Sequence, residues 1–241
     1  MNSLPLSLPL SRTCAASFRR SLCRSAALLG LLLASGCGTL LPKAAAPPSL
    51  YALDSAPAPG PDAAGAMAAN TTPANATRPS GTAPTLVVNP TRATPGFDSP
   101  HIVYVRTAHQ REHFAHSDWV DTPARMLAPL IVAAVERTGT FSAVGPLASG
   151  LDAKLRLDTE VLRLQHEFGA GPSRVRFTMR AYLLDGSTRR VLAWREFDET
   201  VASASEDPYG GVVAANRAVQ RVMERLAEFC TEAARSWVPP G

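Results

Sequence analysis

The stretch Ala153-Lys154-Leu155-Arg156-Leu157-Asp158-Thr159-Glu160-Val161-Leu162-Arg163-Leu164-Gln165-His166-Glu167-Phe168 decides the fold. Up to Val161 the odd positions are small or apolar, apart from Thr159, and the even ones are charged. That is the period of a strand with one buried face. After Val161 the phase slips by one, onto Leu162, Leu164, His166 and Phe168. A β-bulge near Val161-Leu162 would produce that slip. Gly169–Pro172 then turns the chain, and Val175, Phe177, Met179, Ala181 and Leu183 line the inward face of a second strand. Asp185-Gly186-Ser187 turns it back into a third, Arg190–Val201. The expectation is an antiparallel meander of three long strands, half buried on one side.

Helices flank this meander in sequence. Downstream, a long helix is predicted from Tyr209 to Ser236, begun after Asp207-Pro208. Val212, Ala215, Val219, Val222, Leu226, Phe229 and Ala233 step alternately by three and four, a narrow apolar seam. It suits packing lengthwise on the sheet, or docking against a helix of a second subunit. Upstream, Asp121 or Thr122 caps a helix whose first position is Pro123. Leu127, Leu130, Ile131, Ala134 and Val135 form its buried stripe, and Gly139 suits its C-terminal turn. Pro129 should bend this helix outward. Before it come three short strands: Thr85–Val88, His101–Arg106 and Glu112–His116. Two helices on one face of an antiparallel or mixed β-sheet make a two-layer sandwich, α/β of the α+β type.

The chain has 241 residues, 46% hydrophobic and 18% charged, which excludes wholesale disorder and collagen. Its formal charge of +4 invites a nucleic-acid reading. Arg12, Arg19, Arg20 and Arg24 remove it, because all four precede the first apolar run and no acid lies there. Without residues 1–36, 20 bases face 20 acids, so no basic field attracts polyanions. Residues 1–36 read as a secretory signal, with the apolar core Ala26–Ala34 too short for a spanning helix of about 20 residues. The signal ends Leu33-Ala34-Ser35-Gly36-Cys37, which resembles a bacterial lipobox. Cleavage would fall between Gly36 and Cys37, and the Cys37 thiol would take a diacylglycerol, with an acyl chain on its new amino terminus. Such chains hold a protein at a membrane. Gly38 is not the aspartate that resembles an inner-membrane retention signal, which favours the outer membrane.

Residues 37–49 read as a lipidated tether, followed by the apolar island Leu50-Tyr51-Ala52-Leu53. Residues 55–84 contain 25 Ala, Pro, Gly, Ser or Thr among 30, too little apolar area to offset ordering entropy. The island is either a chance cluster in one long linker or the first strand of a domain that resumes at Thr85 and runs to 238. Cys14 and Cys23 leave with the signal, so Cys230 remains as a lone thiol on a helical apolar stripe, read as buried and inert.

No constellation for catalysis emerges: there is no G-x-S-x-G, P-loop, H-E-x-x-H or C-x-x-C. His109, His113 and His116 lie within eight residues, and on a helix His109 and His113 would share a face and could bind a metal. The segment reads instead as loop and strand, with no acid or cysteine to complete a ligand set, so all three are taken as surface residues, as are His101 and His166. Arg174, Arg176 and Arg180 line the outward face of one strand. They either dock an acidic partner or pair across strands with Glu196, Asp198 and Glu160. Trp119 stands beside Asp118 at the entry to the first helix, at a core rim or an exposed contact.

Several segments, in order, resemble the ABC-type transport auxiliary lipoprotein components, the PqiC-like family. They are Tyr51-x-Leu53-Asp54 after the lipobox, Ile102-Val103-Tyr104-x-Arg106, and Trp119 four residues before Pro123. Val191-Leu192-Ala193-x-x-x-Phe197 and Asp207-Pro208-x-Gly210-Gly211-Val212-x-Ala214-x-Asn216-x-Ala218 complete the set. The resemblance implies that 50–54 is the first strand and 55–84 an insertion. It implies a non-enzymatic periplasmic module without cofactor or metal. Its partners would be an MCE-domain substrate-binding protein, an ABC permease and an ATPase that move lipids or other apolar molecules across the envelope. Tyr104, Arg106, Trp119 and Pro123 are the candidate structural or partner-contact residues, with contact through the sheet edge or the Trp119 region. A homo-oligomer is compatible with it; nucleic acid is not an expected partner. The competing readings are a lipid-anchored regulator of cell-wall synthesis and, from another class, a periplasmic hydrolase.

Overall fold

A computed structural model describes residues 47–54 and 83–238. The signal, Cys37, the tether up to 46 and nearly all of 55–84 lie outside the described residues. The element order is β1 (Ser49–Tyr51), β2 (Thr85–Val88), β3 (Arg92–Ala93), β4 (His101–Val105), β5 (Glu112–Trp119), α1 (Pro123–Glu136) and β6 (Ala143–Pro146). A single 3-10 turn (Leu147–Ser149) leads to β7 (Leu155–Glu167), β8 (Arg174–Asp185), β9 (Val191–Ala202) and α2 (Pro208–Arg235). The architecture is the expected α+β one: a mixed sheet, curled into a half-barrel, with both helices packed on it. No described helix is long and apolar enough to cross a membrane.

The meander β7–β8–β9 is antiparallel throughout, as the alternation predicts. The phase slip is a bulge: Val161 faces Met179 and Arg163 faces Thr178, leaving Leu162 between them without a partner. Thr94 secures that bulge, its N–H donating to the Val161 carbonyl at 2.9 Å and its hydroxyl to that of Leu162 at 3.1 Å. The alternation does not disclose what lies on the other edge of β7. There β2, β3 and β4 pair with it in turn, all parallel, at Leu155–Leu157, Glu160–Val161 and His166–Glu167. β2 also pairs with β6, and β5 with β1, again in parallel. β3 and β6 are too short for a periodic signal and were not expected.

Helix α2 begins one residue earlier than predicted and covers β8 and β9 with its seam buried. Val222 and Leu226 are fully enclosed, and α1 packs beside it. Burying the seam on the sheet answers the alternative of a partner helix. Phe229 meets Phe197 edge to face, centroids 6.1 Å apart. Cys230 is buried there, and the apolar surroundings push its thiol up to about 12. α1 has Pro123 at its first position, but Thr122 caps by position only, with no side-chain bond to the first turn. Pro129 lies on the exposed face, where its missing N–H does not disturb the core.

Two further corrections concern β5 and His166. β5 runs three residues past His116, so Trp119 closes a strand instead of opening a helix, and it is 4% exposed. His166, read as a surface residue, is 2% exposed because the bulge turns the slipped phase inward.

Candidate partner-contact site

Four side chains of the family-like segments were singled out, and the fold separates them into two groups. Tyr104 and Arg106 come together at one end of the sheet, where β4 pairs with β5 on one side and β7 on the other. Trp119 and Pro123 lie elsewhere, the first buried against the core and the second at the start of α1; of the four only Arg106 is exposed, since Tyr104 is 9% exposed. Trp119 lines a cavity of about 10 Å³ with Ile102, Leu164, His166 and Gly211. Its side chain is a structural residue, not an exposed contact.

At the β4 end an aromatic cluster is built from three strands. Tyr104 leans on Phe114 of β5 at 4.6 Å and meets Phe168 edge-on at 5.9 Å. Phe168, just past β7, packs on His166 at 4.2 Å. The exposed guanidinium of Arg106 lies over two of these rings, 5.0 Å from Tyr104 and 5.4 Å from Phe168. Cation–π geometry of this kind orients a charge while leaving its donors free. The Tyr104 hydroxyl donates to Glu112 Oε2 at 2.8 Å, and that bond to the carboxylate raises the phenol above its ordinary range. The result is a cation on an aromatic platform beside one anchored carboxylate.

His166 links this platform to the start of α2. Its Nε2 shares a hydrogen bond with Ser173 Oγ at 2.9 Å, while Nδ1 has no partner among the described residues. Burial lowers its pKa, against the opposing field of Asp207 and Glu206. The ring lies on Gly211, where a Cβ would stand 2.6 Å from Nδ1. Gly210 is equally confined, with Ser205 Oγ and carbonyl 2.3 and 2.5 Å from where a Cβ would be. Asp207 caps the helix by accepting from the Gly210 N–H at 2.7 Å. Asn216, in the same segment, accepts from the Asp54 N–H at 2.8 Å and donates to the Ala52 carbonyl at 3.1 Å. The Asp207–Ala218 motif is thus a set of close contacts that fastens the first strand and His166 to α2.

The other candidates are placed apart from this cluster. Arg174, Arg176 and Arg180 are paired across strands with Glu167, Asp198 and Glu196, at 3.1, 2.6 and 2.7 Å. Glu167 takes the role expected of Glu160. His101, His109, His113 and His116 are exposed; His101 stacks on His113 at 4.5 Å and bonds Asp118 at 2.9 Å. Among the described residues no three His, Cys, Asp or Glu side chains are placed to hold a metal. β9 pairs only with β8 among the described strands, and carries Trp194, 61% exposed, stacked on Tyr182. Phe114, Phe168 and His166 were missed as members of one site. Their joining depends on a parallel pairing between β4 and β7, for which a single sequence carries no local signal.

Fold and site define an α+β module whose sheet end carries an exposed arginine on an aromatic cluster. The same fold is found in the crystal structure of a protein from Xanthomonas campestris, 23% identical, with a TM-score of 0.59 over 65% of this chain and 91% of that one. A crystal structure of an uncharacterized protein, 13% identical, matches with a TM-score of 0.53 over 61% of this chain and 92% of that one. Such identities establish the fold alone. No curated protein sequence matches the chain. The model of the ABC-type transport auxiliary lipoprotein component family matches residues 68–227, and the chain belongs to that family. That family is one of bacterial envelope lipoproteins, described as auxiliary components of ABC-type transport.

Proposed function

We propose that this protein is a non-enzymatic accessory lipoprotein of an MCE-linked ABC transporter that moves lipids or other apolar molecules across the envelope. The family match over residues 68–227, spanning β2 to most of α2, carries the reading. Cys37 bears the acyl chains in this reading, the body faces the periplasm, and the outer membrane is the anchoring surface. The Tyr104–Arg106 platform is the contact. Tyr104 is buried and serves as the support, and an arginine held over it before association loses little side-chain freedom on binding. Arg106 presents its free donors to an acidic group of an MCE-domain partner. The outer edge of β9 is a second surface open to a partner strand.

Affinity capture of the detergent-solubilised full chain tests this. An MCE-domain protein, a permease or an ATPase should be recovered, and Arg106→Glu should deplete them while leaving the thermal melt unchanged. Recovery of peptidoglycan synthases instead, or of no transporter component under conditions that preserve such complexes, refutes the proposal.

A further inference from the structure

A groove remote from the aromatic platform runs along the exposed side of α1. Val88, buried at the end of β2, forms its floor. Ala128 and Val132 form one wall, and Leu147 and Ala148 of the 3-10 turn form the other. It encloses about 700 Å³, inside the range of roughly 300–1,000 Å³ typical of small-molecule sites. None of the family-like segments contributes to it.

Its chemistry is nearly uniform. Pro90, Pro129 and Pro146 stand around it, and none has an N–H to offer. Asn89 lines it too, but its side-chain amide donates to Asp158 and its backbone N–H to the Leu157 carbonyl. The walls therefore present carbon. A peptide strand requires backbone partners, and a sugar or nucleotide requires several convergent polar groups; the lining supplies neither. Hydrocarbon requires only removal from water. One charged side chain borders the groove, Glu136 in the last turn of α1, exposed and in no ion pair among the described residues. A carboxylate there repels an anionic headgroup and attracts an ammonium.

From this geometry we infer that the α1 groove holds one acyl chain of a membrane glycerolipid with an amine headgroup, its ammonium against Glu136. The inference deepens the transport reading and rests on it for a lipid being at hand. It also makes the protein a carrier of cargo as well as a contact.

The test uses the full mature chain in vesicles of phosphatidylethanolamine and phosphatidylglycerol, one of the two bearing a photoactivatable group on its acyl chain. After irradiation, the phosphatidylethanolamine probe should label peptides containing Val132 and Leu147. Leu147→Asp, at a half-exposed site, and Val132→Glu, which puts a charge on the opposite wall, should each cut that labelling about tenfold with the melt unchanged. Glu136→Lys should shift preference to the phosphatidylglycerol probe. Labelling spread evenly over the surface, or indifferent to Leu147→Asp, overturns the inference. So does labelling seen only after Cys37→Ala, which would put the chain's own anchor in the groove. The vesicles hold no transporter, so groove labelling without partner capture would sink the transport reading alone, and the reverse would sink this inference alone.

Discussion

The ring of His166 rests on the backbone of Gly211, and a single added carbon at that glycine would come within 2.6 Å of Nδ1. Alanine at this helical position is worth about 1 kcal/mol in propensity. The ring is 2% exposed, bonded to Ser173 and packed on Phe168, so moving it aside disturbs both contacts. Overpacking wins, and Gly211→Ala should destabilise by about 1–3 kcal/mol. Denaturant unfolding checks this; an unchanged or raised midpoint would show that the ring moves freely.

His166 should also shape the pH dependence of stability. Its folded pKa lies below the unfolded value of 6.5. The unfolded chain then binds the proton more readily, so stability is fully present above 6.5 and declines as pH falls through it towards the folded value. His166→Gln should flatten the stability profile between about pH 7 and 5, where carboxylates contribute little. Equal slopes in the two proteins would contradict this origin.

Asn216 fastens Ala52 and Asp54 from the opposite end of the chain. Asn216→Ala removes both bonds and should cost about 1–2 kcal/mol. The first effect should be local, with cleavage by a protease near Tyr51 accelerated before the rest of the domain opens. Uniform loss of protection across the sheet would mean that β1 is integral to the cooperative core.

Leu226 and Trp194 should differ sharply. Leu226 is fully buried under the sheet, and Leu226→Ala should cost about 2–5 kcal/mol by transfer and cavity formation. Trp194 is 61% exposed, and Trp194→Ala should stay within about 0.5 kcal/mol. A comparable loss at Trp194 would reveal packing on β9 that the described residues do not show.

Lipid attachment at Cys37 has a direct readout. Cys37→Ala should move the protein from the membrane fraction to the soluble fraction, since acyl chains are the anchor in this reading. A variant that still sediments with membranes would remove that step.

Some of this was written locally. The meander, its bulge at Leu162, the seam of α2 and the burial of Cys230 follow from periods of two and about 3.6 in adjacent residues, and each is seen in the fold. The Asp207–Ala218 segment was legible as a family-like motif, but not as the contacts that confine Gly210 and Gly211. Tertiary structure alone decided that β2, β3 and β4 share one edge of β7 in parallel. It alone carried β5 on to a buried Trp119, set Phe114 against Tyr104 and brought Phe168 beneath Arg106. Periodicity reports which side of an element meets the core; it does not report which distant element it meets there. Parallel partners in particular lie far apart in the chain, with no turn between them to declare the register.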